Sequence, residues 1–76
     1  MSKNETQLTT LVEIAKELKM NKSRLAYYAS LGLIRPIVIL GSAGAYDKKK
    51  TIATIRKIEE LKKKNKTLRQ IIMIIR

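Results

Sequence analysis

The sequence predicts a mainly α-helical domain with four helices and a small two-stranded β-hairpin between the second and third helices. Two capping signals, "TLVE" at 10–13 and "TLRQ" at 67–70, each precede apolar residues at helical spacing. One short β-branched segment, "PIVILG" at 36–41, is bounded by Pro and Gly, and "SAGAY" returns the chain. A chain of 76 residues makes one small domain, and at this size only about 60% of the unfolded surface is buried.

The first two helices have clear start and stop signals. Helix 1 begins after Thr10, whose hydroxyl can accept from a free amide of the first turn, and runs to about Lys19. Asn21 is a good N-cap for helix 2. Gly32 can adopt a positive φ and end that helix, and Pro36 prevents its continuation.

The second half of the chain repeats this pattern. Asp47 caps helix 3, Asn65 suits a left-handed helix end, and helix 4 begins at Leu68. The predicted inner stripe of helix 3 consists of Ile52, Ile55, Ile58 and Leu61. We expect residues 1–9 to form a flexible N-terminal segment and residues 10–76 to form the domain.

The composition argues against several classes of function. The chain has no Cys and no His, which removes disulfides, thiolate or imidazole metal sites and most acid–base or nucleophilic chemistry. We therefore expect no enzymatic activity and no cofactor. The longest apolar run, "IIMII", is too short to span a membrane, and the polar start "MSKNETQLTT" is not a signal peptide, so we expect a cytoplasmic protein with no membrane partner.

The net charge is +11 and lies entirely in residues 21–76. Three Lys and three Glu cancel in residues 1–20, which leaves fourteen basic against three acidic groups in the rest. A basic face of this kind predicts a polyanionic partner, of which nucleic acid is the commonest, whereas a merely soluble lysine-rich surface is the alternative.

Helices 1 and 2 match a helix-turn-helix. Ala15 leaves room where two helices cross, and Leu25, ten residues later, is the apolar residue that packs against it. Lys19 occupies the turn position, which is usually a Gly because the backbone there is left-handed. At 100° per residue, Tyr27 points away from the core and Tyr28 lies close to it.

The first turn of helix 2 carries the side chains that can read DNA. In a helix-turn-helix this turn enters the major groove, where Asn and Arg bond base edges. The candidate base readers are Asn21, Lys22, Ser23 and Arg24. A structural helical hairpin with one exposed tyrosine is the alternative.

The segment "LVEIAKELKMNKSRLAYYASLGLIRP" at 11–36 resembles the start of the MerR-family winged helix-turn-helix. The "YY…GLIRP" spacing carries most of the likeness, which extends through the hairpin, as a wing, to about residue 75. The resemblance implies a prokaryotic, nucleoid-associated transcriptional regulator that places helix 2 in the major groove of double-stranded DNA.

The candidate phosphate contacts have two origins. The resemblance implies four of them: Tyr27, Tyr28, Arg35 and Tyr46. The residues themselves suggest three more, because "DKKK" places Lys48, Lys49 and Lys50 at the start of helix 3, where lysines oppose the helix dipole but can join the free amides in binding an anion. The "KKKNK" segment at 62–66 is better explained as a solvated helix end.

The sequence departs from the family pattern in the wing. Ala26 and Gly44 stand where the family has arginines, and "IVIL" is unusually apolar for a DNA-contacting strand. We expect Ile37 and Ile39 to pack in the core. Helix 4 is apolar all round, so one of its outer isoleucines would need a cover. The candidate protein contacts are Val38, Leu40, Ile72 and Ile75.

Three functions remain open on these grounds. The first is a sequence-preferring transcriptional regulator. The second is a DNA-architectural or excisionase-like recombination accessory factor. The third is a protein-interaction module that uses the wing and helix 4. The chain ends at Arg76, before the long helix through which family members dimerise. We therefore expect binding as a monomer, or side-by-side association on DNA, with a protein partner as the alternative.

Overall fold

The computed structural model describes residues 7–41 and 43–75, and within them the chain forms four helices and a three-stranded antiparallel sheet. The elements in chain order are β1 (Leu8–Thr9), α1 (Leu11–Leu18), α2 (Lys22–Ser30), β2 (Val38–Leu40), β3 (Ala43–Asp47), α3 (Lys48–Lys63) and α4 (Leu68–Ile75). The predicted winged helix-turn-helix, with two helices before the hairpin and two after it, is confirmed.

Local capping explains the helix-turn-helix. The Thr10 hydroxyl accepts from the Glu13 amide at 3.3 Å, and the Asn21 side chain accepts from the Ser23 amide at 2.8 Å. Between these caps, Lys19 has φ 55° and ends α1 in the left-handed region, as its position predicted. The tight turn that results sets the approach of α2 to α1.

The same chemistry builds the second helix pair. The Asp47 side chain accepts from the Lys50 amide at 3.0 Å, and Asn65, with φ 63°, reverses the chain after α3. The predicted capping box of α4 is complete, because Thr67 accepts from the Gln70 amide at 3.2 Å and the Gln70 side chain accepts from the Thr67 amide at 2.9 Å. Each cap satisfies amides that would otherwise have no partner at a helix start.

The core joins the inner faces of all four helices to β3. Ala15 and Leu25 are both buried, as the helix-turn-helix spacing predicted. In α3, Ile55, Ile58 and Leu61 are buried as predicted, whereas Ile52 is half-buried at the edge of the core. The buried hydrophobic residues are Ile14, Ala15, Leu25, Tyr28, Leu33, Ile34, Tyr46, Ile55, Ile58, Leu61 and Ile71.

The sheet has a third strand that the sequence pattern did not predict. β3 lies in the centre, with β2 on one side and β1 on the other, and Thr9 is paired with Tyr46. Leu8 and Thr9 belong to the segment expected to be flexible, and residues 1–6 of that segment lie outside the described residues. The strand depends on main-chain partners 37 to 39 positions away, between Leu8 and Asp47 and between Thr9 and Tyr46, so no local pattern marks it.

The wing isoleucines are exposed, which corrects the expectation that they pack in the core. Ile37 is 56% exposed and Ile39 is 69% exposed, and Val38 is exposed to a smaller degree. The residues of β3 that face β2 are Ala or Gly, and such small side chains cannot cover an isoleucine. Of the predicted protein contacts in the wing, Val38 is at the surface, and the side chain of Leu40 lies outside what the structure describes.

Helix α4 exposes different residues from those expected. Ile72 and Ile75 are half-buried and pack against the core beside the fully buried Ile71. Met73 and Ile74 are the exposed large apolar side chains of this helix, at 76% and 51%. The expectation of an exposed Ile72 or Ile75 is therefore wrong, because packing against α3 selects which part of an all-apolar helix is covered.

Candidate nucleic-acid interface

The first turn of α2 presents the predicted base readers together at the surface. Asn21, Lys22, Ser23 and Arg24 are all exposed. The carbonyl-type oxygen of Asn21 is used in capping the Ser23 amide, so its amide NH₂ is the part left to contact a ligand. The start of α2 therefore offers several exposed hydrogen-bond donors to a ligand.

The paired tyrosines have opposite environments. Tyr27 is 48% exposed, one turn after Ser23, whereas Tyr28 is 1% exposed. Their ring centroids are 6.4 Å apart, so the two rings are neighbours across the surface of α2. Tyr27 is available to a ligand, and Tyr28 is a core residue.

The Tyr28 hydroxyl belongs to a polar cluster that links α2 to α3. It donates to Glu59 Oε2 at 2.6 Å, while Arg24 Nη1 donates to Glu59 Oε1 at 3.3 Å. Lys62 Nζ lies 3.4 Å from the same hydroxyl. Burial, together with the hydrogen bond and the negative charge of Glu59, raises the pKa of Tyr28 well above its ordinary value. The phenol therefore remains a proton donor to the carboxylate at neutral pH.

Sequence reasoning missed Glu59. One signal could have indicated it, because Glu59 lies one turn after the buried Ile55 and beside the buried Ile58. That places the carboxylate at the border of the inner stripe of α3. Its partner Arg24 is 35 positions away in the chain, and no local spacing connects the two.

Several predicted phosphate contacts lie around the start of α3. Lys49 and Lys50 are exposed, and Lys48 forms an ion pair with Glu17 at 3.0 Å. Arg35 is also exposed and lines, with Lys50, one open cleft of about 600 Å³ between the turn after α2 and α3. The structure thus brings Arg35 and Lys50 to a common surface.

Tyr46 is buried, and its packing explains why the wing carries a glycine. The Tyr46 ring and Pro36 fill the space next to Gly44: a Cβ at this position would lie 3.0 Å from Pro36 Cβ and 3.3 Å from the Tyr46 ring. An arginine at position 44, as in the family pattern, would therefore require Pro36 to shift. Tyr46 serves the core of the wing.

The described residues give no sign of a membrane-spanning helix or a metal cluster. Within 7–41 and 43–75, no helix is both long and apolar enough to cross a membrane. The same part of the chain contains no group of at least 3 His, Cys, Asp or Glu side chains that could hold a metal ion.

Comparison with protein families identifies this helix-turn-helix. A model described as the MerR HTH family regulatory protein matches residues 9–76. The chain belongs to the MerR family. Members of this family are DNA-binding transcriptional regulators, so double-stranded DNA is the partner of this MerR-family domain. Comparison with curated proteins and with solved structures gives no match.

Proposed function

We propose that this MerR-family domain reads a preferred DNA sequence with the first turn of α2. The observation that carries the proposal is the exposure of all four residues at the start of α2, Asn21, Lys22, Ser23 and Arg24, while Leu25 and Tyr28 of the same helix are buried. A helix start of this kind fits the major groove of B-form DNA, where each base pair presents a distinct pattern of donors and acceptors.

Arg24 is the strongest base-reading candidate on this turn. Only one of its guanidinium nitrogens, Nη1, donates to Glu59, and an arginine has five N–H donors in a planar fork. The free edge of the fork suits the two acceptors of a guanine. Asn21 contributes its free NH₂, and Lys22 and Ser23 contribute further donors.

The phosphate contacts that we propose are the exposed members of the predicted set. They are Tyr27, Arg35, Lys49 and Lys50. We also propose Lys48, although its side chain is half-buried and pairs with Glu17 at 3.0 Å. We leave out Tyr28 and Tyr46, because their rings are buried and the Tyr28 hydroxyl is occupied by Glu59. These contacts position the domain and supply affinity, whereas the first turn of α2 supplies sequence preference.

The test is a selection of the domain on a random duplex library at about 150 mM salt, followed by binding to the selected duplex and to a scrambled one. We expect Arg24→Ala to weaken binding to the selected duplex by about 1–3 kcal/mol and to relax the preference. Arg69→Ala is the matched control: Arg69 is an exposed arginine on α4, and its loss should change both duplexes alike. An Arg24→Ala variant that weakens both duplexes equally would remove Arg24 from the base readers.

The exposed apolar surface supports the protein-interaction module as a second candidate. Ile37 and Ile39 on the wing and Met73 on α4 are all more than half exposed. If the selection enriches no motif and both duplexes dissociate together as salt rises, charge alone holds the DNA. In that case, bending of the bound DNA would favour the architectural factor, and binding without bending would favour the interaction module.

A further inference from the structure

We propose that Glu59 is a positioning residue for the DNA-reading turn: it orients the Arg24 guanidinium and thereby sets sequence preference at the expense of general affinity for DNA. This inference rests on the proposed function, because it requires Arg24 to contact a base.

The geometry gives Glu59 a fixed orientation. One carboxylate oxygen accepts from the Tyr28 hydroxyl at 2.6 Å, and the other accepts from Arg24 Nη1 at 3.3 Å. The Tyr28 ring is fully enclosed by the core, so the hydroxyl is a rigid anchor. The Tyr28 hydroxyl fixes the orientation of the Glu59 carboxylate. The second oxygen of that carboxylate then orients the guanidinium of Arg24.

The contact between Glu59 and Arg24 contributes little to stability. The side chains of Arg24 and Glu59 are 49% and 30% exposed, and ion pairs this open to water add little to the free energy of folding. A carboxylate beside the DNA-facing turn also repels phosphates. Glu59 stabilises the fold through the Tyr28 hydroxyl, whereas its contact with Arg24 acts on the orientation of that arginine.

Orientation is the effect that remains. A free arginine samples many rotamers and must be ordered when it meets a base. An arginine already held by Glu59 loses less freedom on binding, and only the base that fits its direction gains the full contact. Glu59 therefore favours the correct sequence over incorrect ones.

The decisive variant is Glu59→Gln, with Glu60→Gln as its matched control. Glu60 is the adjacent residue of α3, and its carboxylate pairs with Lys57 at 3.9 Å, away from Arg24. We expect Glu59→Gln to bind the scrambled duplex more tightly than the wild type, since a negative charge is gone. We expect its ratio of selected to scrambled affinity to fall about tenfold, within the range that a good arginine–base contact supplies. Glu60→Gln should leave that ratio unchanged.

Two further variants separate positioning from charge. Tyr28→Phe keeps the Glu59 charge but removes its anchor, and we expect the ratio to fall with little change in binding to the scrambled duplex. In an Arg24→Ala background, Glu59→Gln should have no further effect on the ratio, because the residue it positions is absent. Thermal unfolding followed by circular dichroism establishes that each variant is folded at the assay temperature.

The outcomes are distinguishable. If Glu59→Gln tightens both duplexes equally, Glu59 acts only as a charge and the inference is overturned. If the ratio falls equally with and without Arg24, Glu59 acts through another group, which also overturns it. A wild-type domain with no sequence preference would overturn the proposed function as well. A preference that Glu59→Gln leaves intact would overturn this inference alone.

Discussion

Replacing Lys49 with Ala tests where the DNA backbone lies on α3. Lys49 is exposed at the start of the helix, and Lys64 is exposed at its end. Fifteen residues of α-helix separate them, which is about 22 Å at a rise of about 1.5 Å per residue. The Debye length at physiological salt is about 8 Å. A phosphate near one of these lysines is therefore screened from the other, and Lys64→Ala is a charge-matched control for Lys49→Ala.

The magnitude follows from counterion release. Each phosphate contact contributes about 0.9 to the slope of log affinity against log salt. Removing the Lys49 contact should flatten the slope by about that amount. Between about 50 and 200 mM salt, the affinity of Lys49→Ala should then fall about 3.5-fold less than that of the wild type. Lys49→Ala should also be as stable as the wild type or slightly more stable, because it removes a positive charge from the positive end of the helix dipole.

The assay is fluorescence anisotropy of a labelled duplex over that salt range, for the wild type and both variants. We expect equal flattening on the selected and scrambled duplexes with Lys49→Ala, and an unchanged slope with Lys64→Ala. Equal slopes for all three proteins would refute a phosphate contact at the start of α3. A larger effect of Lys64→Ala would place the backbone at the other end of the helix.

Three predictions concern stability. Tyr28→Phe should lower the free energy of unfolding by about 1.5 kcal/mol in urea denaturation, since it removes a hydrogen bond to a carboxylate; an unchanged midpoint would contradict it. Because folding raises the Tyr28 pKa, its contribution is complete below about pH 10 and lost as pH rises further. The stability of the wild type relative to Tyr28→Phe should therefore decline above about pH 10, with a limiting slope of about 1.4 kcal/mol per pH unit; parallel pH profiles would contradict the assignment. Lys19→Gly should stabilise the domain by about 0.5–1 kcal/mol, because glycine adopts the left-handed backbone at this position without strain. Asn65→Gly should stabilise it less, because Asn tolerates the left-handed region. A lower melting temperature for Lys19→Gly would show that the lysine side chain has another role.

Local chemistry made much of the fold predictable. Thr10, Asn21 and Asp47 each accept from an amide two or three positions away. Lys19 and Asn65 adopt the left-handed backbone that their positions in the pattern predicted. Capping and turn conformation depend on neighbouring residues, so a short stretch of sequence contains all the information they need.

The candidate site was less accessible to the same reasoning. At 100° per residue, the position of the buried Leu25 predicted that Ser23 and Tyr27 point away from the core, and both are exposed. The base-reading role of the first turn of α2 stays a prediction. The sequence did not predict the burial of Tyr46 or the exposure of Ile37 and Ile39, because each depends on which residues of other elements pack against it. In the wing the opposing residues are Ala and Gly, too small to cover an isoleucine.

The sequence by itself determined the four helices, their caps, the charge that favours DNA and the membership in the MerR family. Tertiary structure alone decided the strand β1, the exposed side of α4 and the carboxylate that holds Arg24. Glu59 meets Arg24 and Tyr28 across 35 and 31 positions of chain. Helix periodicity extends only along one element, whereas these contacts arise where two elements pack together, and only their relative placement brings the groups within bonding distance.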